Sequence, residues 1–241
     1  MPGLLSRSLF VSLALAYTSS YGASLQIAPV SIQLSGTEAG KALTLRSDGD
    51  QPIHAQVRTY AWTQTEDGDQ LAPTRELVAS PPIGLVPAGG EQVIRVIRAD
   101  QNIPTAEHAY RLIIDELPPE GSAAGTAVQF RFRYSVSLFV SPSADVTPPE
   151  LAWSVVEKRG SPYLRVVNRG AVHARLSDVT ITSGTTPLPV ASGLLGYVLP
   201  GHTRSWSLAR IAHALHGGPG EVGATVNRVA LKATLARDQA P

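Results

Sequence analysis

The chain predicts an all-β fold divided into two sandwich domains. Three features of its 241 residues carry that expectation. Apolar and polar side chains alternate with period two over many short stretches, as half-buried strands require. Turn residues separate these stretches at the spacing of a sandwich, and no long stretch has helical periodicity. A segment rich in Pro, Ser and Asp, SPSADVTPPE (141–150), parts two apolar regions and reads as an interdomain linker.

In chain order, residues 1–22 come first. Arg7 supplies a positive region, Leu9 to Tyr17 an apolar run, and Ser20-Tyr21-Gly22 a small-x-small cleavage pattern, with Ala23 a near alternative. The apolar run is shorter than the ~20 residues a membrane span needs, so a cleaved export signal is expected. The mature chain then opens with an extended piece, SLQIAPVSIQL (24–34), followed by KALTLRS (41–47) ending in a Ser-Asp-Gly-Asp turn. IHAQVRTYAW (53–62) puts Ile53, Ala55, Val57, Thr59 and Ala61 on one strand face, with TEDGD (65–69) as a turn. GGEQVIRVIR (89–98) alternates again, and EHAYRLIIDELPP (107–119) is a strand stopped by two prolines. After the loop EGSAAGT comes TAVQFRFRYSVSLFVSP (126–142), the last strand before the linker. Domain boundaries of 23–143 and 144–241 follow. The second domain offers further short strands, LAWSVVEK, SPYLRVVNRG, AVHARLSDVTIT, GYVLP, TRSWSLAR and NRVALKATLAR, and IAHALHGG (211–218) is a helical turn or a loop.

The strand before the linker is unusual. Val128, Phe130, Phe132, Tyr134 and Val136 alternate with polar positions that include Arg131 and Arg133. A domain core does not welcome arginines, so this pattern suits a sheet edge that pairs with another chain.

Composition narrows the function. Hydrophobic residues make up 43% and charged residues 16%, enough apolar content for real cores. A net charge of +1 gives no electrostatic case for nucleic acid or an anionic membrane. No later segment suits a membrane span, and the chain has no cysteine, which excludes disulfides and thiolate chemistry. Of the histidines, only His213 and His216 have a spacing that could share a metal, and no carboxylate accompanies them. GTEAGK (36–41) lacks the spacing of a phosphate loop, and Asp67 and Asp69 lack the rest of a calcium loop. Asp115 and Glu116 are adjacent on a strand, so they point to opposite faces and cannot form an acid/base pair. No catalytic constellation emerges, and neither enzyme activity, a metal nor a cofactor is expected.

The blocks AQVRTYAWTQ, DGDQLAPTRELVASPPIGLVPAGGEQVIRV, EHAYRLIIDELPP and FRYSVSLFVSP resemble the periplasmic chaperones of chaperone–usher pili over roughly residues 24–142. The resemblance implies two immunoglobulin-like sandwiches set as an L or boomerang. It implies a periplasmic chaperone that lends a strand to an incomplete pilin subunit and delivers it to the outer-membrane usher. Val128, Phe130, Phe132 and Tyr134 match the donor positions. The better-known branch grips the pilin carboxylate with an arginine on the first strand and a lysine on the donor strand. Here those places hold Ala28-Pro29-Val30 and Ser137. The chain is closer to the archaic, Csu-like branch, in which Arg111 matches the anchoring arginine, with Arg131 and Arg133 as runners-up. The family's internal ion pair maps to Arg95 and Glu107, and its third member, an arginine, is Ser141 here. The alternative reading of the same strands is a structural or adhesive β-sandwich of a surface or pilus. Self-association through the exposed strand is left open.

Overall fold

The computed structural model describes residues 25–100, 102–118, 130–142, 148–184, 186–215 and 220–237. The export segment 1–22, Val128 and the expected boundary at 143/144 lie outside them. The first half contains β1 (Leu25–Ala28), β2 (Ser31–Ser35), β3 (Gly40–Ser47), β4 (Ile53–Gln64), β5 (Asp69–Pro73), β6 (Leu77–Ser80), β7 (Ile83–Val86), β8 (Glu91–Arg98), β9 (His108–Glu116) and β10 (Arg133–Ser141). One sheet has the order β1-β3-β8-β6, and the facing sheet has β2-β10-β9-β4-β5, with β7 also on β4.

Their packing follows from alternation. Leu43 and Leu45 of β3 and Ile94 and Val96 of β8 face Val57, Leu112, Ile114, Val136 and Leu138 of the other sheet, and all are buried in one core. The expected single piece 24–34 is in fact two strands. β1 pairs antiparallel with β3 in one sheet, while β2 pairs parallel with β10 in the other. The break is a cis peptide bond between Ala28 and Pro29. Sequence reading also missed β5, β6 and β7, which are four or five residues long and bracketed by Pro73, Pro81 and Pro82.

The second half has β11 (Leu151–Lys158), β12 (Ser161–Asn168), β13 (Ala174–Ser183), β14 (Thr186–Val198), β15 (Thr203–Ser207), a short 3-10 turn (Ala209–Ala214), β16 (Gly220–Val226) and β17 (Val229–Arg237). They form one seven-stranded sheet, ordered β14-β13-β16-β17-β11-β12-β15. The sheet closes over its own core, since Leu164 and Val166 of β12 pack in one cluster with Leu176 of β13, Val198 of β14 and Val222 of β16. Arg159 and Gly160 at the β11–β12 turn both have positive φ, 51° and 74°, as the tight right-twisted hairpin turn demands. Among the described residues, no helix is long and apolar enough to cross a membrane.

One departure from strict alternation positions the functional site. Val136 to Ser141 of β10 are buried without a break. Val136, Leu138 and Val140 face the sandwich core, whereas Phe139 faces outward and is still fully buried. A strand buried on both faces must have its outer face covered too. The second domain provides that cover: Phe139, Trp62 and Ala109 cluster with Leu199 and Tyr197.

Candidate functional site

Between the domains lies a cleft of about 1180 Å³. Its first-domain wall is the outer face of the β2-β10-β9-β4-β5 sheet, where strand parity places Ser31 and Gln33 of β2, Ser135 and Ser137 of β10, and Arg111 of β9. Its other wall carries His173, Arg175, Tyr197 and Arg204.

Arg111 sits at the centre. It lies opposite Ser137 in the β9–β10 ladder, and its Nη1 donates to Ser137 Oγ at 2.7 Å. Its guanidinium carbon is 3.7 Å from the Trp62 ring centre and 5.4 Å from that of Tyr197. These rings hold the planar group in place while leaving its edge toward the cleft. Nη2 is 3.8 Å from Asp69 Oδ2. Burial lowers Arg111 from the ordinary arginine value, and the nearby Asp69 and Tyr197 oppose that shift. A guanidinium remains charged at neutral pH even so. The site is a buried cation with donors unused among the described residues, suited to gripping a carboxylate in two-pronged fashion.

Arg111 also marks a boundary on β10. One edge of β10 is filled by β9 from Arg133 to Val140. The other is filled by β2 only from Ser137 to Ser141. From Arg133 to Val136 that second edge has no strand beside it among the described residues. Phe130 and Phe132, just before it, are 80% and 48% exposed. Tyr134 is half-buried against the sandwich core, and its hydroxyl donates to Glu116 Oε1 at 2.9 Å. The regular strand thus starts at Arg133, later than the expected start near 126.

The alternative anchors have other places. Arg133 is paired with Asp115, which also holds Arg58. Burial raises Asp115, but the hydrogen bonds from Arg133 and Arg58 outweigh it and hold the carboxyl below its ordinary range. Arg131 is exposed, and neither it nor Arg133 lines the cleft.

The expected Arg95–Glu107 pair is not formed. Arg95 lies on the outward face of β8, exposed between the inward Ile94 and Val96. Glu107 is buried between the domains instead. Its Oε1 accepts from the backbone N–H of His173 at 2.7 Å and lies 2.9 Å from His173 Nδ1. Its Oε2 accepts from Ser141 Oγ at 3.1 Å and from Gln33 Nε2 at 3.4 Å. His173 in turn stacks on Phe139, ring centres 3.5 Å apart. The parity of β8 decides against Arg95, and residues from β2, β10 and the second domain take the carboxylate.

Several interface residues escaped the sequence. Gln64 donates to Tyr197 O and accepts from Leu199 N, at 3.0 and 2.9 Å. Glu66 accepts from Ser205 Oγ at 2.7 Å and pairs with Lys158 at 3.0 Å. Asp69 accepts from Arg204 Nη1 at 2.8 Å. One signal was present. Trp62 stands on the outward parity of β4, and so large an apolar ring there calls for a covered outer face.

Residues 24–145 match the family model described as pili and flagellar-assembly chaperone, PapD N-terminal domain. A comparison with curated proteins finds no match. Several solved structures share the two-domain fold. The chaperone–tip adhesion subunit pre-assembly complex CsuC–CsuE, from archaic Csu pili of Acinetobacter baumannii, matches at 24% identity and TM-score 0.71, over 89% of this chain and 99% of that one. The E. coli chaperone DraB matches at 20% and 0.61, over 88% and 96%. The Salmonella enterica SafA pilin in complex with the SafB chaperone matches at 19% and 0.60, over 88% and 94%.

Proposed function

The chain belongs to the family of pili and flagellar-assembly chaperones, and from that premise we propose that it captures pilin subunits by lending them β10 and hands them to an outer-membrane usher. Its place of work in this reading is the periplasm. The observation that carries the reading is the uncovered half of β10, flanked by exposed Phe130 and Phe132 and ending at Arg111.

A pilin domain that lacks its last strand presents an open groove and unpaired edges. The free edge of β10 supplies backbone hydrogen bonds along it. Val128, Phe130 and Phe132 fill the groove, each large apolar side chain contributing about 1.5–3 kcal/mol when fully buried, and Tyr134, half-buried against the chain's own core, adds only its exposed part. Arg111 takes the subunit's terminal carboxylate. No covalent step and no cofactor enter. The cation positions of the better-known branch fall in Ala28-Pro29-Val30 and at Ser137 here, and Arg111 bonds Ser137 directly, which supports placing the chain in the archaic, Csu-like branch.

The test is purification of the mature protein from its own periplasm, with co-purifying chains identified by mass. A stoichiometric pilin that disappears in the Phe130→Ser/Phe132→Ser variant is the expected result. A bare monomer, from cells that produce the pilus, overturns the reading.

A further inference from the structure

The cleft holds more positive charge than one anchoring arginine explains. Arg111, Arg175, Arg204 and Arg228 line it, against the carboxylates Asp69 and Glu107. Glu107 is already engaged by His173 and Ser141. Asp69 lies between two of the arginines. Its Oδ1 accepts from Arg204 Nη1 at 2.8 Å and from Gln64 Nε2 at 2.9 Å, and its Oδ2 is 3.8 Å from Arg111 Nη2.

The two sides of this contact differ in character. The Arg111 and Arg204 side chains are only 15% and 13% exposed, while Asp69 is 40% exposed on β5, an edge strand whose residues are all exposed. Arg204 Nε is buried with no hydrogen-bond partner among the described residues. The Arg111 contact with Asp69 is too long for a hydrogen bond. Two buried guanidiniums from different domains therefore share one exposed carboxylate, hydrogen-bonded by Arg204 and only loosely met by Arg111, and among the described residues both retain donors to spare.

We propose that Arg204 is the second half of the anchor, and that Asp69 is a built-in stand-in carboxylate that a ligand's chain-terminal carboxylate displaces. Only the identity of that ligand, a pilin terminus, rests on the functional reading above. Asp69 shields two desolvated cations in the free protein, and the incoming carboxylate replaces it at Arg111 while meeting Arg204 from the second domain. A ligand without a terminal negative charge gains nothing from displacing Asp69, so the device selects free carboxyl termini over amides.

The test uses the free mature protein and an acetylated apolar tripeptide, as its free acid and as its C-terminal amide. Binding is followed by the NMR shift of the Trp62 indole N–H, beneath Arg111. Asp69→Asn, a change of one atom, is expected to bind the acid about three- to fivefold more tightly than the parent, the range of a partly exposed ion pair. The amide is expected to bind neither. Arg204→Gln in the Asp69→Asn background removes the gain. Arg204→Lys, which keeps charge without the fork, retains part of it and serves if the glutamine variant does not fold. No saturable shift, equal affinity for acid and amide, or equal affinity of Asp69→Asn and parent overturns the proposal. None of these measurements needs a pilin. Failure to capture one overturns the functional reading alone, and a captured pilin whose affinity Asp69→Asn leaves unchanged overturns this one alone.

Discussion

Among the described residues, Arg111 makes one hydrogen bond, to Ser137, and one loose ion contact. Its removal therefore costs the free chain little and the complex much. Arg111→Ala is expected to shift the urea midpoint only slightly, because Trp62 and Tyr197 lose a stacking partner, yet to lose pilin in pull-down. Arg111→Lys is expected to recover only part, since an ammonium cannot grip a carboxylate with two parallel bonds. Glu107 is the opposite case. Four hydrogen-bonding groups converge on its buried carboxylate. Glu107→Leu leaves Ser141 and the two His173 nitrogens without this acceptor, while Gln33 keeps Ser141 Oγ at 2.9 Å, and is expected to cost about 2–4 kcal/mol in urea unfolding, whereas Glu107→Gln keeps an acceptor and costs less. Asp115 makes a pH prediction. Its folded pKa lies below the ordinary 3.8, so its contribution is complete above that value and is lost as pH falls through the lower folded value. Comparing Asp115→Asn with the parent by thermal melts at a series of pH values should show the gap closing in acid.

At the scale of the element, β10 does two jobs in nine residues. Its second half is buried on both faces, and its first half offers an open edge. Phe139→Ala in the buried half should cost about 3–5 kcal/mol. Phe130→Ser with Phe132→Ser should change stability by under about 1 kcal/mol, because Phe130 stands in solvent and Phe132 is half exposed beside Tyr134, while abolishing pilin capture. Equal loss of stability from both variants would contradict the division. Much of this was legible beforehand. Alternation located β3, β4, β8, β9 and β10, and the same alternation exposed the odd mixture of Phe and Arg at 130–133. The β1–β2 exchange between sheets was not legible, because both pieces are extended and alternation does not say which sheet a strand joins. The Glu107 contacts were illegible for a related reason. Gln33 and Ser141 reach Glu107 from other strands of the same domain, 74 and 34 residues away, and His173, 66 residues away, reaches it only by the docking of two domains.

The whole molecule is held by a domain interface that is apolar in the middle and charged at one end. Phe139, Trp62, Leu199 and Tyr197 form the middle, and Glu66 with Lys158, Arg165 and Ser205 forms the charged end. Burial raises Glu66, but Ser205 and Lys158 outweigh it and hold the carboxyl below its ordinary 4.5. Its contribution is therefore full above 4.5 and lost as pH falls through the lower folded value. Because Glu66 is partly exposed, the loss is modest, at most about 1 kcal/mol. Glu66→Gln should widen the distribution of interdomain distances between two spin labels at neutral pH, as acid does for the parent, and leave each domain's own melting unaltered.

The parallel pairing of β2 with β10 also decides which way a guest strand must travel. β2 begins beside Ser137, level with Arg111. A segment whose last residue reaches Arg111, and whose preceding residues lie back along Val136 toward Phe130, runs in the direction of β10 itself. It then meets β2 end to end, so host and guest form one interrupted line. A guest of reversed polarity would bring an amino terminus against a cluster of arginines. One extended past its natural end by two residues would need about 6.6 Å of track that β2 already occupies.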